Sequence, residues 1–318
     1  MRIRIRMSVV LFALMVVAVG SLSTLAQEAP ATVPVHMVVT VEPLPGKRAA
    51  IVNRDDVRVY QGKQRLDVTG WEPARGGNAG LDLFILIDDT SGSSLGSQLN
   101  DIRDFINAQP STTAVGIGYM ANSTIRIVQN FTTDHASAAK ALRLPLGTVS
   151  AMDSPYLSLM DLMKRWPNHN NRREVLMITD GVDRLRLGRG LLGMPSISPD
   201  AQSAGDLAQR DGIIVHSIYS PGIGYASRNF WVASMGENNI SMVSDVTGGS
   251  SFFLGYNGPP SFKPWLDQLH NVLENQFWLT FLATPGKKAS LQNIRLETEV
   301  PGAELVSANS VYVPAAKK

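Results

Sequence analysis

Cysteine is missing altogether from the 318 residues. Its absence excludes a disulfide framework, thiolate zinc sites, cysteine nucleophiles and a lipid-bearing cysteine behind a leader. Histidine is sparse: the five copies, His36, His135, His169, His216 and His270, are scattered. None stands at the i, i+4 spacing of a helical metal pair. Neither sign of charge dominates, with 29 basic and 27 acidic residues and a net charge of +2. Three of the basic residues, Arg2, Arg4 and Arg6, crowd the first six positions; without them 26 basic residues face 27 acidic ones. That balance leaves no electrostatic footprint for nucleic acid. No internal repeat or low-complexity tract is present.

What is there begins with a leader. Arg2 to Arg6 form a positive region, Val9 to Val19 an apolar one, and Ser21 to Ala26 a stretch of small residues. This reads as a secretory signal peptide over 1–26, cut after Ala26. Its apolar part is short of the roughly 20 residues of a membrane span, so no span is expected once it is removed. The chain is read as exported, to the periplasm or outside the cell.

The remainder divides into three. Residues 27–78 read as a β segment and linker, with strands at 36–41, 57–60 and 66–68 and a Gly-rich stretch at 76–80. Residues 79–276 alternate strand and helix, with strands at 83–88, 113–119, 124–129, 174–179, 213–218 and 251–254. That alternation predicts a doubly wound, mostly parallel six-stranded α/β sheet covered on both faces. Strands 113–119 and 124–129 are too close for a crossover helix and predict an antiparallel edge hairpin. Residues 277–318 return to β. Together with 35–75 they are expected to build one small sandwich into which the α/β domain is inserted.

The chemistry gathers at the carboxyl ends of the parallel strands, where open α/β sheets place ligands. The apolar run Leu83 to Ile87 ends in Asp88-Asp89-Thr90-Ser91-Gly92-Ser93. The run Glu174 to Thr179 ends in Asp180-Gly181, and Ser154-Pro155 opens a helix between the two. Carboxylates and hydroxyls of this kind suit a hard cation such as Mg²⁺. The same stretch fits G-x-S-x-G at Gly92-Ser93-Ser94-Leu95-Gly96, which permits a serine hydrolase using Ser94, with His216 or His270 downstream. Against that reading, no earlier α/β strand exists to supply an oxyanion loop. Arg184, Arg186 and Arg189 fall in a loop at 182–197, and Phe230-Trp231 in another at 220–235. Both loops are candidates for setting partner choice.

Asp89-Thr90-Ser91-Gly92-Ser93 resembles the D-x-S-x-S signature of von Willebrand factor type A domains, and Ile178-Thr179-Asp180-Gly181 their second acidic motif. The resemblance covers about 81–276, and the flanks are similar to those of a bacterial group of exported proteins related to that family. It implies a metal-ion-dependent adhesion site for Mg²⁺ or Mn²⁺ with Asp89, Ser91, Ser93 and Asp180 as ligands. The family's threonine falls near Ser154, with Thr148 the poorer substitute. Asp89 is preferred to Asp88 because both serines then fit. The implied function is non-catalytic binding of a partner protein in the envelope or outside the cell, one able to offer a carboxylate to the metal. A metal-free interaction scaffold of the cell envelope is the alternative.

Overall fold

The computed structural model describes residues 32–47, 50–187, 197–224, 229–253 and 255–316, apart from the side chains of Ser93 and Ser94. The expected signal peptide and Arg189 lie outside them. Residues Thr32–Lys318 form one compact unit. Among the described residues no helix is long and apolar enough to cross a membrane.

At its centre is a six-stranded sheet. Its members are β5 (Leu81–Asp88), β6 (Thr113–Ala121), β7 (Thr124–Thr132), β8 (Arg172–Thr179), β9 (Ile213–Tyr219) and β10 (Ser251–Phe252), in the order β10-β9-β8-β5-β6-β7. All neighbours are parallel except β6 and β7, which form the expected edge hairpin. β5 is the first strand of this sheet in the chain and lies near its middle. The chain leaves it toward β6 on one side and later toward β8 on the other, which opens a crevice at the carboxyl ends of β5 and β8.

Both faces of β5 are buried, as a central parallel strand requires. Leu83, Ile85 and Ile87 pack beneath α1 (Leu99–Asn107), α2 (His135–Ala141) and α7 (Lys263–Glu274). Phe84 and Leu86 pack beneath α3 (Pro155–Lys164), α5 (Pro199–Asp211) and α6 (Phe230–Thr247). α5 starts as the sequence says, with Ser198 capping, Pro199 at its first position and Gly212 closing it at φ +66°. α6 is a correction, because 230–235 reads as loop in the sequence and folds as helix. Asn229 caps it by accepting from the amides of Trp231 (3.0 Å) and Val232 (3.3 Å).

The chain's two ends meet in two four-stranded sheets. β1 (Val33–Pro43), β4 (Val68–Pro73), β11 (Gln276–Ala283) and β13 (Ala303–Ser307) form one, in the order β13-β1-β11-β4. β2 (Val57–Gln61), β3 (Gln64–Leu66), β12 (Ser290–Thr298) and β14 (Ser310–Val313) form the other, in the order β14-β12-β2-β3. Val39, Val59, Leu279 and Phe281 lie between them in one separate core. β13 is an additional strand that the sequence reading does not contain. Arg172, at the start of β8, donates to the Leu273 carbonyl (2.9 Å) and to the Gln276 side chain, tying the central sheet to β11.

Candidate functional site

The strand alternation of β5 decides which carboxylate enters the crevice. Residue 88 continues the face of Phe84 and Leu86, and residue 89 turns the other way. Asp88 accepts from the Thr90 amide (2.9 Å) and from the Thr179 hydroxyl (2.6 Å) at the end of β8. Asp89 instead holds Arg143 through two parallel bonds (2.7 and 2.8 Å). It also accepts from the Leu146 amide (3.1 Å), and its carbonyl accepts from the Gly147 amide (2.8 Å). Arg143 in turn lies 3.7 Å over the Tyr119 ring. Asp89 is thus the anchor of the loop after α2. Asp89, the ligand preferred from the sequence, is bonded to Arg143, and the strand-end carboxylate facing β8 is Asp88.

Asp180 stands beside it, fully buried. Its oxygens accept from Arg184 Nη2 (2.6 Å) and Nη1 (3.2 Å) and from the Val182 amide (3.0 Å). Arg184 belongs to α4 (Arg184–Leu187), a single turn, and its side chain is 4% exposed. This is a second correction: Arg184 is not a surface residue of a recognition loop but lies inside the crevice. Burial works against its charge, yet Asp180, and after it Asp88 and Asp153, hold its pKa above the usual guanidinium value. Arg186 points the other way, to Asp200.

The expected hydroxyls divide. Ser91 is buried in the 3-10 turn behind β5, where Gly92 takes φ +64°. The Ser93 side chain lies outside the described residues. Ser154 caps no backbone amide of α3. Its buried Oγ makes no hydrogen bond of good geometry, but it lies near Asp183, whose carboxyl burial pushes up and the Ser198 and Ser154 hydroxyls pull back. Thr90 Oγ1 is likewise buried and unpartnered. Thr148 is exposed.

The structure therefore brings Asp88, Asp180 and Arg184 together, with Ser154 at the rim. Asp88, Ser154 and Arg184 line one recess of about 10 Å³. That volume holds about one water. Mg²⁺ binds with several of its waters retained. Among the described residues no group of three or more acidic or histidine side chains is arranged to hold a metal. Among the described residues this recess does not fit a resident divalent ion, because the Arg184 guanidinium already stands against the Asp180 carboxylate beside Asp88.

Burial, and next the neighbouring Asp180, push the Asp88 carboxyl up to about 6, with Arg184 pulling it back. A carboxyl raised from an ordinary 3.8 keeps its proton in the folded state after the unfolded chain has released it. The stability this group contributes is complete below about pH 4 and is lost as the pH rises through about 6. Asp88→Asn keeps an acceptor for Thr90 and removes the charge. It is expected to melt above the parent at pH 7.5 and to lose that advantage toward pH 4. A melting difference that stays constant over that range would sink this account.

The histidines needed for a hydrolase lie elsewhere. His216 is buried within β9, bonded to Glu174 (2.8 Å) and the Ser250 amide (3.0 Å). His270 is on α7, 3.4 Å from Glu274.

A mostly parallel six-stranded sheet, one antiparallel edge strand, and facing aspartates at the ends of β5 and β8 make one combination. The α/β unit has a von Willebrand A-type fold. No family model matches the chain, and no curated protein matches it. Among solved structures it is similar to an aerotolerance-related membrane protein from Bacteroides fragilis, at 14% identity over 61% of this chain and 98% of that one, TM-score 0.40. It is similar also to a von Willebrand factor type A protein from Catenulispora acidiphila, at 9% identity over 92% and 75%, TM-score 0.42. A third is the manganese-loaded TRAP protein of Plasmodium vivax, at 11% identity over 78% and 100%, TM-score 0.42.

Proposed function

We propose that this chain is a non-catalytic binding protein whose von Willebrand A-type unit engages a protein partner at the carboxyl rim of its sheet without a resident metal ion. The observation that carries this reading is Arg184, sealed between Asp180 and Asp88 where an adhesion site of this fold would keep its cation. The arginine supplies the positive charge internally and cannot exchange into solvent as an ion does. The rim keeps the positions of an adhesion surface, while its affinity becomes independent of Mg²⁺. Residues 1–26 support export of the chain, which sets the partner in the envelope or outside the cell. No catalytic role falls to Ser94, since His216 and His270 are both committed to partners away from the rim.

The test is a cation titration of the full chain followed by its melting temperature. The expected result is the same melting temperature in chelator, in Mg²⁺ and in Mn²⁺. A rise of several degrees in Mn²⁺ that Asp180→Asn abolishes would replace this reading with a metal-dependent one. One observation favours that second reading: the Ser154 hydroxyl, which lines the recess with Asp88 and Arg184 and which a cation would satisfy if Arg184 swung out.

A further inference from the structure

At the end of the central sheet opposite the rim, a cleft of about 910 Å³ lies between the starts of β8 and β9 and the outer face of the sandwich. Sites for small ligands span roughly 300–1,000 Å³. The floor of the cleft comes from β1, β11 and β4. Val39, Leu279 and Phe281 point into the sandwich core. By alternation, His36 and Val38 of β1 and Trp278 and Thr280 of β11 take the other face. The register sets Trp278 between Val38 and Glu72, and Thr280 beside His36. His36 Nδ1 is 2.9 Å from Thr280 Oγ1. Trp278 Nε1 donates to the Asn78 carbonyl (3.4 Å), which holds the indole by one edge. Tyr312 of β14, 43% exposed, lines the same cleft.

The facing wall is polar and held in place. Asp82, near the start of β5, is fully buried, and its carboxylate bonds His169 Nδ1 (2.9 Å) and Asn171 Nδ2 (2.8 Å). The His169 side chain is 49% exposed and lines the cleft. With Nδ1 committed to Asp82, its Nε2 is the ring nitrogen left to bind. Neither that Nε2 nor the Asn170 side chain has a hydrogen-bond partner among the described residues. Arg173 donates to the Asp211 carbonyl (3.3 Å) and the His169 carbonyl (3.1 Å), so its remaining N–H groups stand in a fixed fork.

We propose that this cleft is a second binding site and that it takes an uncharged oligosaccharide of two or three residues. Charge argues against an anion. Arg173 and Arg210 line the cleft against Glu72 and Asp211. Arg210 is spent on Asp211 (3.1 Å), and the buried Asp82 carboxylate is the register neighbour of Arg173. No surplus cation is left for a phosphate or a free carboxylate. Strand position argues against an extended peptide. β1 and β11 are interior strands, so their main chain is already paired and cannot add a further strand. What the cleft offers is aromatic surface from Trp278 and Tyr312 opposite preset donors and acceptors. A sugar ring has that pairing of surfaces: C–H groups on its faces, which pack on an aromatic ring, and hydroxyls at its edge. Each hydroxyl both donates and accepts, which suits His169 Nε2, the Asn170 amide and the Arg173 fork. The site lies away from the rim and is independent of the reading given to it.

Titration calorimetry of the full chain with chitotriose, cellotriose, maltotriose and mannotriose tests it, with inorganic phosphate and acetate as the anionic arm. The expected result is saturable binding of at least one trisaccharide, with a dissociation constant of about 10 μM to 1 mM, and none of either anion. Trp278→Ala and, separately, Tyr312→Ala should each weaken that binding by about tenfold or more, the scale of one lost aromatic contact. Tyr312 is exposed, so its variant should melt with the parent and keeps the test valid if Trp278→Ala unfolds. Asn170→Ala, also exposed, should weaken binding by removing a hydroxyl partner. A chain that binds none of the four sugars overturns the proposal. Sugar binding that Tyr312→Ala and Asn170→Ala both retain puts the ligand elsewhere and overturns it as well. Binding of phosphate or acetate that the sugars do not match would make the cleft an anion site held by Arg173 instead.

Discussion

Replacing Arg184 with alanine is expected to cost about 3–5 kcal/mol of unfolding free energy at neutral pH, the usual result of removing one partner of a buried ion pair. The side chains of Arg184 and Asp180 are 4% and 0% exposed, and two bonds join them. Without the guanidinium, Asp180 would be left among buried groups and next to Asp88, whose carboxyl already holds its proton to about 6. Two carboxylates would then face each other without a cation, and the part of the loss carried by Asp88 should shrink as the pH falls through about 6 and that group takes up its proton. The vacated space lies beside the carboxylates of Asp180 and Asp88 and beside Ser154. Mn²⁺ or Mg²⁺ should therefore stabilise Arg184→Ala, by about 2.7 kcal/mol at a hundredfold excess over the dissociation constant, and leave the parent unmoved. Urea unfolding of both proteins, with and without cation, makes the comparison. If Arg184→Ala unfolds within about 1 kcal/mol of the parent, the arginine is not the internal cation of this site.

The architecture was legible because it is written in apolar runs and punctuation. The runs at 83–88 and 174–179, the tight link between 113–119 and 124–129, and Ser198-Pro199 with Gly212 each carry a local physical signal. The strands of β11 to β14 could be assigned to the end segments for the same reason, although β13 lies in a stretch too mixed to announce itself. The site was legible only to within one residue. D-x-S-x-S fits the string from Asp89, but the string does not say which face of β5 a carboxylate leaves. An amphipathic strand would have shown it by alternation; β5 is buried on both faces and reads as uniformly apolar. Arg184 did carry a signal, being four residues after Asp180. In the sequence it is grouped with Arg186 and Arg189 as a basic loop, and nothing local separates the arginine that turns inward. Phe230–Thr247 was missed because Gly236, Asn238 and Asn239 are poor helix formers. Its helix is maintained by contact with the sheet.

That contact makes Gly236→Ala the second large expected effect. Gly236 and Gly181 face each other across the junction of α6 with the end of β8. A Cβ at 236 would run into the Asp180 carbonyl oxygen and lie 3.1 Å from both the Gly181 carbonyl carbon and Val182 Cγ2. The first of these is backbone, so no rotamer change makes room. Either α6 must lift or the turn bearing Asp180 must move, and the second course would pull Asp180 from Arg184. The expected cost is about 3 kcal/mol or more, at the upper end of overpacking effects. This comes despite the ~1 kcal/mol that alanine gains over glycine in a helix. Gly205→Ala in α5 is the matched comparison, because it enjoys the same helical gain. Its Cβ meets only the tip of Val246, at 3.0 Å, so it should stay within about 1 kcal/mol of the parent. The difference between the two alanines in urea unfolding isolates the backbone clash. Equal stabilities would mean that α6 does not hold the Asp180 turn in place. The Gly236→Ala protein should also gain a cation-dependent melting shift where the turn moves, because a loosened Asp180–Arg184 pair gives an ion access to the carboxylates that the arginine otherwise occupies.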